Sequence, residues 1–324
     1  MKAAVIYQPG GPEELQLEER PIPQTRPGKV LVKVKAFGLN RSELMTRKGY
    51  SPNVVFPRIL GIECVGEVVQ DPSGNLQPGQ PVAACMGGMG RAYDGSYAEY
   101  TLLPSDIVYP FTGNLPWATL GALPEMFQTV YGSLFLALDI KKGETLLIRG
   151  GTSSVGLLAL QLAKNAGLQV ITTTRNPDKK QLLLAHNADD VWIDNGNLLL
   201  QKTERYHDGI DKILELVGTD TLKDSLACVK VGGTVCMTGM LSEQWSISDF
   251  SPMDYIPATA KLTVYDSGQI RVDGEHFRAF IREIESGRVK PPIGKVFTLN
   301  SIAEAHRLMD SNKANGKIVV LPNE

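Results

Sequence analysis

The segment Thr145-Leu146-Leu147-Ile148-Arg149-Gly150-Gly151-Thr152-Ser153-Ser154-Val155-Gly156 constrains this chain more than any other. It reads as a strand buried on both faces, a tight Gly/Ser turn and the opening of a helix. Val155, Leu158, Ala159, Leu162, Ala163 and Ala166 then share one helical face, and Gly167 stands where a helix C-terminal glycine belongs. Small residues in such a turn let the backbone approach a pyrophosphate, and the N–H groups at the helix start face its negative charge. Gly156 lets the helix pack closely on the strand. The match to G-x-G-x-x-G is imperfect, because Ser153 replaces the middle glycine. That exchange predicts a small shift of the pyrophosphate or an added hydroxyl hydrogen bond. The surrounding βαβ units supply the context that the motif needs. Gly151, Ser153, Ser154, Val155 and Gly156 are therefore expected to hold a dinucleotide.

The next strand, Gln169–Thr174, indicates which dinucleotide. An NAD site usually ends this strand with Asp or Glu, whose carboxylate takes the ribose 2′-hydroxyl. Here Thr174, Arg175 and Asn176 follow, with Lys179 one turn on. No carboxylate stands there to repel a 2′-phosphate, and Arg175 and Lys179 can pair with one, so NADPH is favoured over NADH. Asn176 caps a helix with Pro177 in its first turn. Ile213–Val217 and Thr234–Met237 are two more buried strands, separated by a helix over Leu222–Val229. The loops at their carboxyl ends, Leu216-Val217-Gly218 and Thr238-Gly239-Met240, are expected to line the cofactor groove.

The chain has 324 residues, enough for about two domains. The first hundred are rich in strands and turns. Val30, Val32, Val34 and Ala36 alternate with Lys33 and Lys35, and further strands are expected in Gly66–Val69 and Ser96–Tyr100. Near residue 120 helices and strands begin to alternate, the pattern of a parallel sheet. Near the end, Phe277, Phe280, Ile281 and Ile284 mark a helix stopped by Gly287. Ser301 with Glu304 predicts a capping box, and Lys317–Leu321 reads as a strand.

With 33 Lys+Arg against 35 Asp+Glu the net charge is −2, which gives no electrostatic footprint for nucleic acid. No stretch approaches the roughly 20 apolar residues that span a bilayer, and Met1–Tyr7 is too short for a signal core. A cytoplasmic protein is expected. Cys64, Cys85, Cys228 and Cys236 form no C-x-x-C pair and read as scattered buried thiols. The histidines His186, His207, His276 and His306 read as surface or helix residues.

Several ordered motifs together resemble the medium-chain dehydrogenase/reductase superfamily, on its zinc-free NADPH:quinone oxidoreductase and enoyl-reductase-like side. They are the Met1-Lys2-Ala3 strand, Phe37-Gly38-Leu39-Asn40-Arg41-Ser42-Glu43, Leu60-Gly61-Ile62-Glu63-Cys64-Val65-Gly66, Gly95–Tyr100, the glycine-rich turn and Asn315-Gly316-Lys317-Ile318-Val319. The resemblance covers essentially the whole chain. It implies an α/β fold: a Rossmann doubly wound parallel sheet over 121–259, and a GroES-like β-rich domain over 1–120 with a return at 260–324. Zinc relatives carry Cys near Asn40 and His where Ile62 stands. Ile62 cannot ligate, and no histidine precedes residue 185, so no metal is expected.

The implied reaction is hydride transfer from NADPH to a quinone or an α,β-unsaturated carbonyl, with orientation and a dry pocket supplied by the protein. The resemblance places Asn40 beside the nicotinamide and the acceptor, and Tyr50 in the acceptor pocket as a possible proton donor, with water as the other source. It gives Met126 and Phe127 to the pocket wall, Thr129 to the nicotinamide side and Lys317 to a cofactor phosphate. Asp194 stands where many relatives have a tyrosine near the adenosine end. A homodimer through Leu262-Thr263-Val264-Tyr265 is implied as well. An enoyl-thioester reductase and a non-catalytic NADPH-binding protein are the alternatives.

Overall fold

The computed structural model describes residues 1–201 and 206–323. The chain forms two compact units, Met1–Phe127 with Asp273–Glu324, and Gln128–Val272. The first contributes β1 (Lys2–Ile6), β2 (Gln16–Glu19), β3 (Lys29–Gly38), β4 (Arg58–Ile59), β5 (Glu63–Gln70), β6 (Pro81–Cys85), β7 (Tyr100–Pro104) and β8 (Val108–Pro110). The second contributes β9 (Thr145–Arg149), β10 (Gln169–Thr174), β11 (Asp190–Ile193), β12 (Ile210–Glu215), β13 (Val229–Met237) and β14 (Lys261–Val264). The chain then returns to the first unit with β15 (Ile293–Thr298) and β16 (Lys317–Leu321).

In the first unit β3 is the central strand. It pairs with β5 along one edge, and with β7 and then β16 along the other, all antiparallel. Val30, Val32, Val34 and Ala36 are buried while Lys33 and Lys35 are half-buried, as the period-2 alternation requires. The strand expected over Ser96–Tyr100 starts only at Tyr100. Ahead of it the backbone bonds go to three different partners. Tyr97 N donates to Leu60 O, Tyr97 O accepts from Ala4 N, and Glu99 O accepts from Val34 N. A segment tied to two strands and to the stretch after β4 cannot run as one ladder. Ser301 does not make the expected cap either. Leu299–Ser301 is already a 3₁₀ turn, so Ser301 lacks the extended backbone that an N-cap needs.

The second unit is one six-stranded sheet in the order β11-β10-β9-β12-β13-β14, parallel throughout. Leu146, Leu147, Ile148, Val170, Ile171, Ile213 and Leu214 are fully buried, which is why these strands read as continuous apolar runs. Counted from its own first strand the order is 3-2-1-4-5-6, the Rossmann arrangement. The order reverses between β9 and β12. The crevice beyond their carboxyl ends is where such sheets bind ligands.

Candidate functional site

At that crevice the chain turns from β9 into the helix Ser154–Asn165. Gly151 N donates to Thr173 O at 3.1 Å and Gly150 N to Thr173 Oγ1 at 3.0 Å, which draws the turn against the end of β10. Space here admits no side chain. A Cβ on Gly151 would lie 1.7 Å from Thr172 Oγ1, and one on Gly156 would lie 2.6 Å from Gly150 O. Ser153 is the N-cap, with Oγ accepting from Gly156 N at 3.0 Å and donating to Gly150 O at 2.9 Å. This corrects the expectation of an added hydroxyl bond to the pyrophosphate, since the proton of Ser153 is spent inside the turn. The N–H groups of Ser154 and Val155, in the first helical turn, have no intrahelical acceptor and suit an anion.

The other expected groove residues gather beside this turn. Leu241 N donates to Leu216 O and Ser242 N to Val217 O, lacing together the loops after β12 and β13. A Cβ on Gly239 would lie 2.3 Å from Leu216 O, and one on Gly150 would meet Leu216 Cβ at 3.2 Å. Thr129 O accepts from Ser133 Oγ at 2.7 Å, and that hydroxyl pairs with Thr238 Oγ1 at 2.8 Å. Thr174 Oγ1 accepts from Asn176 N at 3.1 Å, shaping a turn on which Arg175 is exposed and Lys179 half-buried.

Beneath the loops lies a buried network that sequence reasoning missed. The Arg149 guanidinium binds Asp194 with two parallel bonds, Nε–Oδ2 and Nη2–Oδ1, both 2.8 Å. Its Nη1 reaches Asp224 at 2.8 Å, Thr221 O at 3.0 Å and Ser225 Oγ at 3.1 Å. Ser225 Oγ donates to Glu215 Oε2 at 2.5 Å, and Glu215 Oε1 accepts from Val217 N and Gly218 N at 2.7 and 3.1 Å. Burial raises the Glu215 carboxyl above its usual range. For Asp194 burial acts in the same direction, but the bonds to Arg149 outweigh it and hold the carboxyl low. The only sequence signal is a charged residue at the end of an apolar strand.

The first unit carries a second polar cluster. Asn40 precedes the helix Arg41–Arg47. Its Nδ2 donates to Glu63 Oε1 at 2.9 Å and Glu43 Oε1 at 3.3 Å, while its Oδ1 accepts from Lys317 Nζ. Lys317 Nζ also pairs with Glu63 Oε1 at 2.7 Å and lies 3.9 Å from Glu125 Oε2. Lysine can only donate and a carboxylate can only accept, so the amide orientation is fixed by its neighbours. Both N–H donors of Asn40 face inward, and only a lone pair on Oδ1 remains for a ligand. Glu43, fully buried and facing Glu63, is pushed up to about 8 by burial and then by that second carboxylate. Asn40 N bonds Glu43 Oε2 at 3.1 Å, an Asn-x-x-Glu spacing that was readable as a capping signal.

Lys317 is thus corrected. It is 3% exposed, and burial lowers its affinity for a proton less than Glu63 and Glu125 raise it. It is an ion-pair partner inside the first unit and no loose cation for a phosphate. Met126 and Phe127 are corrected as well. Met126 is fully buried, and Phe127 stacks on Phe280 at 4.5 Å and meets Phe277 edge-on at 5.7 Å, so both are core and offer no pocket wall. Tyr50 lies beyond the far end of the helix that Asn40 opens and is 62% exposed, so the structure does not bring these two together. His306 lies on the helix Ile302–Asp310 and is fully buried there, with Nε2 3.0 Å from Tyr97 Oη and Nδ1 accepting from Arg47 Nε at 3.2 Å.

The description "Alcohol dehydrogenase GroES-like domain" matches residues 26–113, and "Zinc-binding dehydrogenase" matches residues 186–320. The residues do not fit the metal that the second name mentions. Ile62 has no donor atom, and the Lys317 ammonium already pairs with Glu63. Among the described residues no three His, Cys, Asp or Glu side chains are grouped to hold an ion. The quinone oxidoreductase of Rattus norvegicus is 30% identical over 332 residues, covering 99% of this chain and 98% of its own. The acryloyl-coenzyme A reductase of Sulfurisphaera tokodaii is 25% identical over 347 residues, covering 99% of this chain and all of its own. The structure of mycobacterial Rv1454c complexed with NADPH superimposes with a TM-score of 0.87 at 25% identity, covering 99% of this chain and 100% of that one.

Proposed function

Because the chain belongs to the medium-chain dehydrogenase/reductase superfamily, with quinone oxidoreductases among its relatives, we propose that it reduces a quinone or an α,β-unsaturated carbonyl with NADPH and without zinc. The observation that carries this reading is the Gly150–Gly156 turn, placed at the switch point of a doubly wound sheet with the Ser154 and Val155 N–H groups uncommitted. NADPH when bound supplies the hydride. In this reading Gly151, Ser154, Val155 and Gly156 receive the pyrophosphate, and Thr174, Arg175 and Lys179 receive the 2′-phosphate. Leu216, Gly218, Gly239 and Met240 border the groove, with Thr129 tied to them through Ser133.

In the first unit Asn40 presents its Oδ1 lone pair and so orients a hydrogen-bond donor, while its own N–H groups stay with Glu43 and Glu63. Tyr50, being exposed, competes with water as the proton source. An acceptor double bond conjugated to a carbonyl is already electrophilic, so holding it in line with the hydride is the protein's main task. The cytoplasmic assignment is supported by four free cysteines, which suit a reducing compartment. A homodimer through β14 is supported by its place at the sheet edge, where Val264 is 63% exposed.

Cofactor oxidation measured with quinones, enones and enoyl-coenzyme A thioesters tests the reading, with NADH and a chelator run beside. Turnover that prefers NADPH and ignores the chelator is the expected result. Loss of activity on chelation, or tight NADPH binding with no turnover on any acceptor, would overturn it. The acryloyl-coenzyme A reductase relative favours one second reading, a thioester substrate, which would appear as kcat/KM highest for the thioester.

A further inference from the structure

Asp194 raises a question of charge. It follows β11, and its N–H donates to Thr174 O at 2.9 Å, so it stands beside the turn that carries Arg175. Arg175 directly follows Thr174 in the chain, so the backbone bond from Asp194 brings the carboxylate to the residue next to Arg175. A carboxylate in that place has two harmful options. It could take Arg175 as its own partner, or it could repel a phosphate brought to Arg175.

Neither option is open while Arg149 is present. Asp194 gives both oxygens to Arg149 in a bidentate pair, and Oδ1 also accepts from Gly196 N at 3.0 Å. Arg149 is fully buried and is held from its other side by Asp224, Ser225 and Thr221 O. All three guanidinium nitrogens are engaged, so the hub cannot swing away. A planar fork is needed for this geometry, and lysine could not replace it. Asp194, Asp224 and Glu215 outnumber the one cation, so without Arg149 nothing in this network could balance Asp194.

We propose that Arg149 sets cofactor specificity from beneath the site: by neutralising Asp194 it keeps Arg175 available for the 2′-phosphate of NADPH. Arg149 touches no ligand and acts through Asp194, which makes it a positioning residue. The inference rests on the NADPH reading above.

The test is equilibrium binding of NADPH and NADH, read by nicotinamide fluorescence, to the wild-type protein, Arg149→Gln, Asp194→Asn and the double variant. Arg149→Gln should weaken NADPH about tenfold and NADH less than about twofold, the size of one lost charged contact. The double variant should return the NADPH/NADH ratio to within about threefold of wild type, because removing the second charge restores the balance. Equal losses for both cofactors in Arg149→Gln, or no recovery in the double variant, would overturn the proposal. If Arg149→Gln does not fold, Asp194→Asn decides alone. It should leave NADPH affinity within about twofold of wild type, because the charge it removes is already screened; a several-fold gain would show that this charge reaches the cofactor despite Arg149. A wild-type protein with no preference for NADPH overturns both the reading and this inference. A preference that survives in Arg149→Gln overturns the inference only.

Discussion

Lys317 shows how one side chain can be fixed by what surrounds it. Its ammonium is buried between Glu63, Glu125 and the Asn40 carboxamide, and Glu63 has no solvent to fall back on. Removing one partner of a buried pair leaves the other charge uncompensated, which typically costs 3–5 kcal/mol. Lys317→Met should therefore lower unfolding free energy by about that amount in denaturant titration. Adding Glu63→Gln to it should recover more than half, and a double variant less stable than the single one would contradict the ion-pair account. None of this was visible at the residue level in the sequence. Lys317 and Glu63 are 254 positions apart, and only the antiparallel pairing of β16 and of β5 with β3 brings them to one place.

At the scale of elements, the strand–turn–helix is held by exclusion and by its cap. Gly151→Ala would place a methyl 1.7 Å from Thr172 Oγ1, so the turn must move. NADPH affinity should fall at least tenfold, roughly 1.4 kcal/mol, in an equilibrium binding titration, and thermal unfolding should register the displaced turn as a loss of stability. Ser153→Ala removes the cap and should cost about 1 kcal/mol of stability without altering the preference for NADPH. These elements were legible because local rules fix them. Apolar periodicity and the terminal Gly167, found at φ +82°, mark the helix wherever it packs. What could not be read was decided by distant partners. The Ser96–Glu99 segment satisfies a strand pattern, yet its backbone answers to β1, β3 and the stretch after β4. Phe127 looked like a pocket wall in sequence, and only the returning helix Gly274–Glu285 turned it into core. Arg149 and Asp194 were two isolated charges until the sheet order placed their strand ends together.

For the whole molecule, two buried groups oppose each other along the pH axis. His306 is held neutral, lowered from 6.5 to about 3 by burial and then by Arg47. Below pH 6.5 the unfolded chain takes a proton that the folded chain refuses, so stability falls with acid between about 6.5 and 3. Glu43 acts the other way. Its folded form keeps a proton up to about 8, whereas the unfolded chain releases it near 4.5, so stability falls as pH rises across that interval. Thermal unfolding should show a decline from pH 6.5 to 8 that disappears in Glu43→Gln. An unchanged slope in that variant would show that Glu43 does not carry the alkaline limb.

The four cysteines have a consequence for how such a protein would survive its own chemistry. All are buried, burial pushes the Cys64 thiol up, and Cys236 is raised to about 11, also chiefly by burial. Quinones and enones are soft electrophiles that alkylate thiolates, and a thiol that stays protonated and out of reach is no nucleophile. A catalyst that spends its life among Michael acceptors thus offers them no cysteine thiolate to arylate.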